Sequence, residues 1–386
     1  MVGVPGRSAG MLRLRPFKSS AVSVGKTSSA YAIGVSKMSI SVAKIRTMGS
    51  PRLSSLCKGC SPPSPHWITC NLLKGLAHLP QITKRRPMYI TTLLCKPGQQ
   101  ALTPALTQSL LGAWGGRALT WLAAMEAVEF EILTLPENLW QVWRDMQELG
   151  IDLIVQPVAG RRKKMLLADM DSTMIEQECI DELAAEAGVG PRVAQITARA
   201  MNGELDFEQA LRERVGLLKG LNTKIIQQVH QNRITFMPGG AVLLATMQAQ
   251  GGYAALVSGG FTDFTHPVAQ HLGFNTHRAN SLLQVDGALT GEVGLPILGR
   301  EAKVTALQEI SATQGLNPED VLAVGDGAND LGMLQLAGTG VALHAKPIVQ
   351  EQVSVRVNHG DLTALLYLQG YTKTQFVTPE NVSSAP

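Results

Sequence analysis

Four short apolar runs set the terms for this fold: "MLLA" at 165–168, "YAALV" at 253–257, "VLAV" at 321–324 and "VAL" at 341–343. Each is free of polar residues and too short for a helix, and helical patterns separate them. Runs of this kind belong to strands covered on both faces, and so to a parallel sheet with helices on either side. An α/β open sheet is therefore the expected frame. In such a sheet ligands bind beyond the carboxyl ends of the strands. The residues directly behind each run should then carry the function.

Those residues are largely acidic. Behind "MLLA" stand Asp169, Asp171, Ser172 and Thr173; behind "YAALV" stand Ser258, Gly259 and Gly260. Behind "VLAV" comes "GDGAND", with Gly325, Asp326, Gly327, Asn329 and Asp330. Residues at i and i+2 of an extended chain point the same way. Asp169 and Asp171 are thus expected to crowd two negative charges into one volume, which raises one pKa strongly unless a cation holds them. Taken singly, Gly-Asp-Gly is a tight turn and Ser-Gly-Gly a helix cap. At successive strand ends together they read as a cation site. Its donors are all oxygen, with no His or Cys, which favours Mg2+ over zinc. Mg2+ couples naturally to a phosphate. Ser258 and the N–H groups around Gly259, opening a helix, would receive that anion, and Lys303 in "GREAKVTALQEI" adds a point charge.

Between the first two runs, residues 175–235 hold several helical segments and no strand: "IEQECIDELAAEAG", "PRVAQITARAMNG", "DFEQALRERVGLLKG" and "TKIIQQVHQN". Each is bounded by Gly, Pro or a polar cap. Inserted behind the first strand's turn, they should cover the strand ends like a lid. The "DG" at Asp286-Gly287 marks a hairpin. Upstream, from Met88 to about Val158, strand and helix patterns alternate as βαββαβ, with helices starting at Pro104 behind Thr103 and at Pro136. That order predicts a small ferredoxin-like α+β sandwich. It holds no cluster of titratable groups, which suits a regulatory or dimerising module. "GRRKK" at 160–164 reads as a basic linker, and 376–386 as a flexible tail.

The net charge of +4 is divided unevenly. Residues 1–87 carry 14 Lys or Arg and no acid, leaving 20 of the 34 basic residues and all 30 acidic ones to the rest. The overall pI of 8.8 thus describes the extension and gives no reason to expect nucleic acid. Rich in Ser, Gly and Pro, 1–87 reads as a disordered basic extension, either a start placed too early, with Met88 as the true first residue, or a targeting segment. No stretch reaches about 18 apolar residues, so no membrane span is expected. Of Cys57, Cys60, Cys70, Cys95 and Cys179, four precede residue 100, and "CKGC" has no second pair. A reducing, cytoplasmic setting is the expectation.

"DMDSTMIEQECIDELA", "RAMNGELDFEQALRERVGLLKG", "SGGFTDF", "VGDGANDLGML" and "HAKP" together resemble the haloacid dehalogenase superfamily of phosphatases, and more narrowly its phosphoserine phosphatase branch, over about residues 163–370. The resemblance implies a Rossmann-like domain at 161–375 with a helical cap at about 175–235, preceded at 88–160 by an ACT-like, amino-acid-binding domain. It implies Asp169 as nucleophile, forming an aspartyl-phosphate, and Asp171 as the acid and then the base. One Mg2+ per site would be held by the Asp169 carboxylate, the Asp171 backbone carbonyl and Asp326, with Asp330 positioning its waters. Ser258, Gly259, Lys303 and Asn329 would bind the phosphoryl group and neighbouring substrate atoms.

The same resemblance assigns Glu178 to a substrate ammonium and Arg214 to its carboxylate, with Met201 and Phe207 closing the apolar side. From composition alone Glu178 is one of several acids starting a helix, and Arg214 a helix charge beside Arg212. His344 and the His266/His271 pair read as packing or surface residues. O-phospho-L-serine is the implied substrate, hydrolysed in the last step of serine formation. Serine binding at the ACT-like domain and a homodimer are further expectations. Phosphohomoserine hydrolysis and phosphotransfer to another hydroxyl are the sibling readings. A phospho-accepting receiver domain fits poorly, since receivers have no helical insertion after the first strand.

Overall fold

Residues 89–157 form their elements in the order that the patterning predicts. A computed structural model describes residues 88–201 and 205–379; the basic extension with "CKGC", and 380–386, lie outside them. β1 (Tyr89–Cys95), α1 (Pro104–Ala113), β2 (Arg117–Ala123), β3 (Ala127–Ile132), α2 (Leu139–Glu148) and β4 (Ile151–Pro157) build a four-stranded sheet of order β2-β3-β1-β4. β1 lies antiparallel to both neighbours. Thr103 caps α1 by accepting the Leu106 N–H at 3.2 Å, and Pro104 fills the first turn, where its missing donor is harmless. α2 begins at Leu139 instead of Pro136. Asn138 precedes it without a side-chain cap, since its Oδ1 accepts from Trp114 Nε1 at 3.2 Å. Leu93, Phe130, Ile132 and Leu153 form this domain's core.

β5 (Met165–Ala168), β6 (Tyr253–Phe261) and β7 (Thr276–Asn280) are followed by a separate hairpin, β8 (Leu282–Val285) and β9 (Ala288–Val293), then by β10 (Val321–Gly325), β11 (Thr339–Leu343) and β12 (Val355–Val357). The main sheet has six strands in the order β12-β11-β10-β5-β6-β7, every pair parallel. Its central strands are the apolar runs, and β5 and β10 are buried throughout. The edge strands β7, "THRAN", and β12, "VRV", have polar sequences that carry no apolar run, so periodicity does not reveal them. The hairpin turns at Asp286 and Gly287 with φ of 50° and 75°, the left-handed pair that a type I′ turn needs.

Between β5 and β6 lie α3 (Cys179–Glu186), α4 (Gly190–Met201), α5 (Phe207–Gly216) and α6 (Lys224–Asn232), which form the cap; α7 (Gly240–Ala249) returns the chain to the sheet. The cap and the β8–β9 hairpin share a backbone pair, Gly220 N–H to Leu289 O and Leu289 N–H to Leu221 O, both at 2.8 Å. α8 (Thr262–Leu272) and α9 (Arg300–Thr313) complete the helices that bear on the site. β6 corrects one expectation. It continues through Ser258, Gly259 and Gly260 to Phe261, with a register shift against β7 between Val257 and Phe261. The Ser-Gly-Gly stretch is therefore a bulged strand end, and the helix opens only at Thr262. Successive glycines weaken strand pairing and favour a bulge.

The small sheet is tied to the large one. Asp152, buried on β4, accepts the N–H groups of Asn358 at 2.8 Å, His359 at 3.0 Å and Gly360 at 2.8 Å. Gln156 donates to Leu368 O at 2.7 Å, and Glu126 accepts from Tyr367 Oη at 2.7 Å and Lys373 Nζ at 2.8 Å. The basic linker is also anchored. Arg161 holds Glu129 through two hydrogen bonds of 2.6 and 3.0 Å, Arg162 lies 4.1 Å above the Tyr371 ring, and Lys163 donates to Glu319 O at 2.8 Å. Phe376 packs on Tyr367 and Val377 donates to Thr246 Oγ1 at 2.9 Å, so the chain is still held just past 375.

A buried N–H that loses its acceptor costs about 1–3 kcal/mol. Asp152→Ala strands three, one on buried Gly360 and two on half-buried residues, and should lower the unfolding free energy by about 2–3 kcal/mol. Glu131→Ala breaks only the exposed pair with Arg117 at 3.2 Å, and should cost under about 1 kcal/mol. Urea titration of the two variants checks the contrast.

Candidate active site

Neighbouring strand ends assemble the acids. β5 and β10 run parallel with Ala168 opposite Val324, and Asp169 N–H donates to Val324 O at 3.0 Å. The residues that leave these two strands are therefore delivered side by side. One oxygen from each of Asp169, Asp326 and Asp330 lies within 4.8 Å of the others, and all three residues are buried. Gly325 makes room, because any Cβ there would collide with the Asp330 carboxylate. Asp330 Oδ2 accepts the Gly327 N–H at 2.9 Å, which fixes its position.

Lys303, on α9, enters this cluster. It is 2% exposed, with Nζ 2.7 Å from Asp169 Oδ1 and 2.5 Å from Asp330 Oδ1. Burial alone would lower its pKa, but Asp169 and Asp330 hold it above the usual lysine value. One ammonium does not balance three carboxylates. Asp169 is pushed well above the carboxylate range by burial and by the charges of Asp330 and Asp326, with Lys303 opposing. Burial likewise raises Asp326 to about 6, against the pull of Lys346. Fully ionised, the trio with Lys303 keeps two surplus negative charges. An all-oxygen, buried, doubly negative cluster fits a hard divalent cation such as Mg2+.

Asp171 does not join the cluster, contrary to the expectation of two crowded charges. β5 ends at Ala168, so the i, i+2 alignment does not extend to it. Its Oδ1 accepts the Cys179 N–H at 3.0 Å in the first turn of α3, and its Oδ2 lies 3.4 Å from the Ser258 hydroxyl. Burial, and then the charge of Glu178, raise Asp171 to about 6. Ser172, at a φ of 54°, turns the chain and donates to Glu178 Oε1 at 2.9 Å. Ser258 Oγ accepts the Gly260 N–H at 2.8 Å, and a Cβ on Gly260 would sit 2.7 Å from Asp171 Oδ2. Only glycine fits that approach.

The cap reaches the same place. Phe207, from α5, wedges between Gly259 and Gly299, where a Cβ on either glycine would lie 3.2 Å from its ring. Asn329 Nδ2 is 4.0 Å from the same point on Gly259. Arg214 is half-buried and faces the charges of Asp181, Glu178 and Asp171, while burial lowers its pKa. Among the described residues its guanidinium makes one hydrogen bond, Nε to Ala210 O at 3.2 Å. Met201 ends α4, but its side chain lies outside the described residues. His344 donates from Nε2 to Gly360 O at 2.8 Å and His271 stacks on Phe236, so both pack as expected.

Two residues join the site without having been given a role from the sequence. Thr173 is buried and donates to Asp326 Oδ1 at 3.4 Å. Lys346 donates its N–H to Asp326 O at 3.1 Å and brings Nζ to 3.6 Å from Asp326 Oδ2. "HAKP", directly behind β11, was the available signal for Lys346; the rule that function lies beyond each strand end extends to it.

This sheet, cap and acid cluster define a hydrolase of the haloacid dehalogenase-like family. The chain belongs to that family, whose pattern it matches over residues 166–335. It is 47% identical over 204 residues to the phosphoserine phosphatase of Haemophilus influenzae, covering 53% of this chain and 65% of that one. It is 45% identical over 200 residues to the phosphoserine phosphatase of Streptococcus thermophilus, covering 52% of this chain and 93% of that one. Against some curated relatives the chain spans less than two thirds of their length, 56% for the one from Streptomyces coelicolor. Among solved structures, a probable phosphoserine phosphatase from Vibrio cholerae superposes with a TM-score of 0.60 at 30% identity, over 79% of this chain and 94% of that one. A phosphoserine phosphatase carrying a phospho-aspartyl intermediate analogue gives a TM-score of 0.51 at 41% identity, over 53% and 98%.

Removing the buried ammonium leaves the carboxylates unopposed, which for a buried pair costs about 3–5 kcal/mol. Lys303→Met should therefore melt well below the parent without metal, and added Mg2+ should recover part of the loss. Thermal melting with and without Mg2+ reads this; a variant indifferent to Mg2+ would count against a cation among these acids.

Proposed function

We propose that this chain hydrolyses O-phospho-L-serine to serine and phosphate through an aspartyl-phosphate on Asp169. The observation that carries the reading is the different treatment of the two aspartates. Asp169 is drawn into a cationic contact with Lys303, whereas Asp171 is set apart on the Cys179 N–H and raised to about 6. A nucleophile must be ionised, which burial among acids opposes at Asp169 and which the Lys303 ammonium, together with a bound divalent ion, would restore; an acid–base group works best with a pKa near the working pH. Asp169 and Asp326, with the Asp171 carbonyl, would hold Mg2+, and Asp330 would steady its waters. When bound, that ion supplies positive charge against the phosphoryl oxygens and polarises the phosphorus for in-line attack.

The chain's own residues do the rest. An Asp169 oxygen attacks phosphorus, and Asp171 gives its proton to the departing seryl oxygen. Asp171, now a base, takes a proton from the water that cleaves the aspartyl-phosphate. Lys303, the Ser258 hydroxyl, the N–H of Gly259 and the Asn329 amide receive the phosphoryl oxygens. Phe207 seals the cap and excludes water. Arg214, with little of its guanidinium engaged by the protein, suits the substrate carboxylate in bidentate form; Glu178 suits the ammonium. The names of the relatives, and the phospho-aspartyl analogue in one of them, support the same chemistry.

For the small βαββαβ domain we infer an ACT-like regulatory role, with serine as the ligand and pairing of two copies as the assembly. Its strand order supports this. A cytoplasmic setting fits Cys95 and Cys179, both free and buried. No helix among the described residues is long and apolar enough to cross a membrane.

Asp169→Asn should reduce phosphate release by at least about 10^4-fold in the presence of Mg2+, as loss of a nucleophile does elsewhere. Retained turnover would refute the nucleophile assignment. Arg214→Ala removes charge-assisted hydrogen bonds of about 1.5–3 kcal/mol, and so should lower kcat/KM for phosphoserine by about 10- to 100-fold. An aryl phosphate, which has no carboxylate, should lose under about 3-fold by the same reasoning. Equal losses on both substrates would remove Arg214 from carboxylate recognition.

A further inference from the structure

Asn280 is the last residue of the edge strand β7 and is 1% exposed. Its carboxamide is fully committed. Nδ2 donates to Gly259 O at 2.8 Å and to Leu298 O at 3.2 Å, while Oδ1 accepts the Leu298 N–H at 2.7 Å. Both donors and the acceptor thus join two backbone segments otherwise far apart in the chain. Gly259 belongs to the bulged end of β6, beside Ser258. Leu298 immediately precedes Gly299, the N-cap of α9, and α9 carries Lys303 one turn later. Gly259 and Gly299 are also the two walls between which Phe207 inserts.

We propose that Asn280 is a positioning residue that sets the spacing between the Ser258–Gly260 bulge and the start of the Lys303 helix, and so the dimensions of the phosphoryl-binding site. The Asn280 side chain need not touch substrate for this. The bond to the Gly259 carbonyl fixes the plane of the peptide whose Gly260 N–H holds the Ser258 hydroxyl oxygen, and two bonds to Leu298 fix where α9 begins. A carboxamide is the group suited to the task, since it offers two donors and an acceptor from one rigid plane. Aspartate has the same shape but would turn an oxygen toward the Gly259 and Leu298 carbonyls. The inference rests on the phosphatase reading for the identity of the anion, not for the geometry.

The test uses the full chain with Mg2+ and compares Asn280→Asp, Asn280→Ala and Asn280→Ser with the parent. Displacement of catalytic groups by about 1 Å costs on the order of 100-fold. Asn280→Asp and Asn280→Ala should therefore lose about 10- to 100-fold in kcat/KM, by the same factor on phosphoserine and on p-nitrophenyl phosphate. Inhibition by inorganic phosphate should weaken in parallel, while the preference between the two substrates stays fixed. Asn280→Ser, which keeps one donor and one acceptor, should recover part of both. A folded Asn280→Asp with parental kcat/KM and parental phosphate inhibition would overturn the proposal. So would failure of all three variants to fold, which would assign Asn280 to stability alone. Should the parent cleave only the aryl phosphate, the substrate reading falls and the comparison proceeds on that substrate. Should it cleave neither, calorimetric binding of inorganic phosphate decides.

Discussion

The ammonium of Lys303, buried between Asp169 and Asp330, is the contact on which the catalytic half is organised. Without it, three carboxylates at adjoining strand ends would repel one another in a medium that screens poorly. With it, they can be packed into one small volume and still remain short of positive charge. That residual deficit is useful, because it asks for a divalent ion and for nothing softer. A lysine suits this position better than an arginine. Its compact point charge contacts two acids from different strand ends at once, where a planar fork would demand a matching plane. The parallel register that sets Ala168 opposite Val324 is the structural source of the arrangement.

The second aspartate shows how cap and sheet are made to work together. Asp171 accepts from a cap helix through the Cys179 N–H and touches the sheet through the Ser258 hydroxyl. The aspartate proposed to handle protons therefore sits on the seam between cap and sheet. Phe207 crosses the same seam and is received by two glycines, one at the end of β6 and one at the start of α9. The contact of cap with sheet and the placement of Asp171 thus share one seam.

Much of this could be read from the residues. The central strands came from "MLLA", "YAALV", "VLAV" and "VAL", because doubly covered strands must be apolar throughout. The acids came from the positions just beyond each run, and the cap from four helical patterns without a strand. Three kinds of feature resisted reading. β7 and β12 lie at sheet edges, where one side faces solvent and the apolar signal fades. Asp171 was expected beside Asp169 because strand geometry was carried past Ala168; the turn at Ser172 depends on a left-handed backbone conformation that composition does not announce. Asp152 and Asn280 act through hydrogen bonds to backbone groups more than a dozen residues away in sequence, and long-range partners leave no local pattern. The roles of Glu178 and Arg214 came from resemblance alone.

The attachment of the small domain has a consequence for how such a chain can change over time. Asp152 satisfies three amides in a loop of the larger domain, and the carbonyl of one of them, Gly360, receives His344, two positions before Lys346. An appendage that began as dispensable would, once wired in this way, become entrenched. A descendant that shed it would have to find new acceptors for all three amides or leave them to solvent. In this chain the two modules are coupled through the Asp152 side chain, and removing the smaller would uncover three amides of the larger at once.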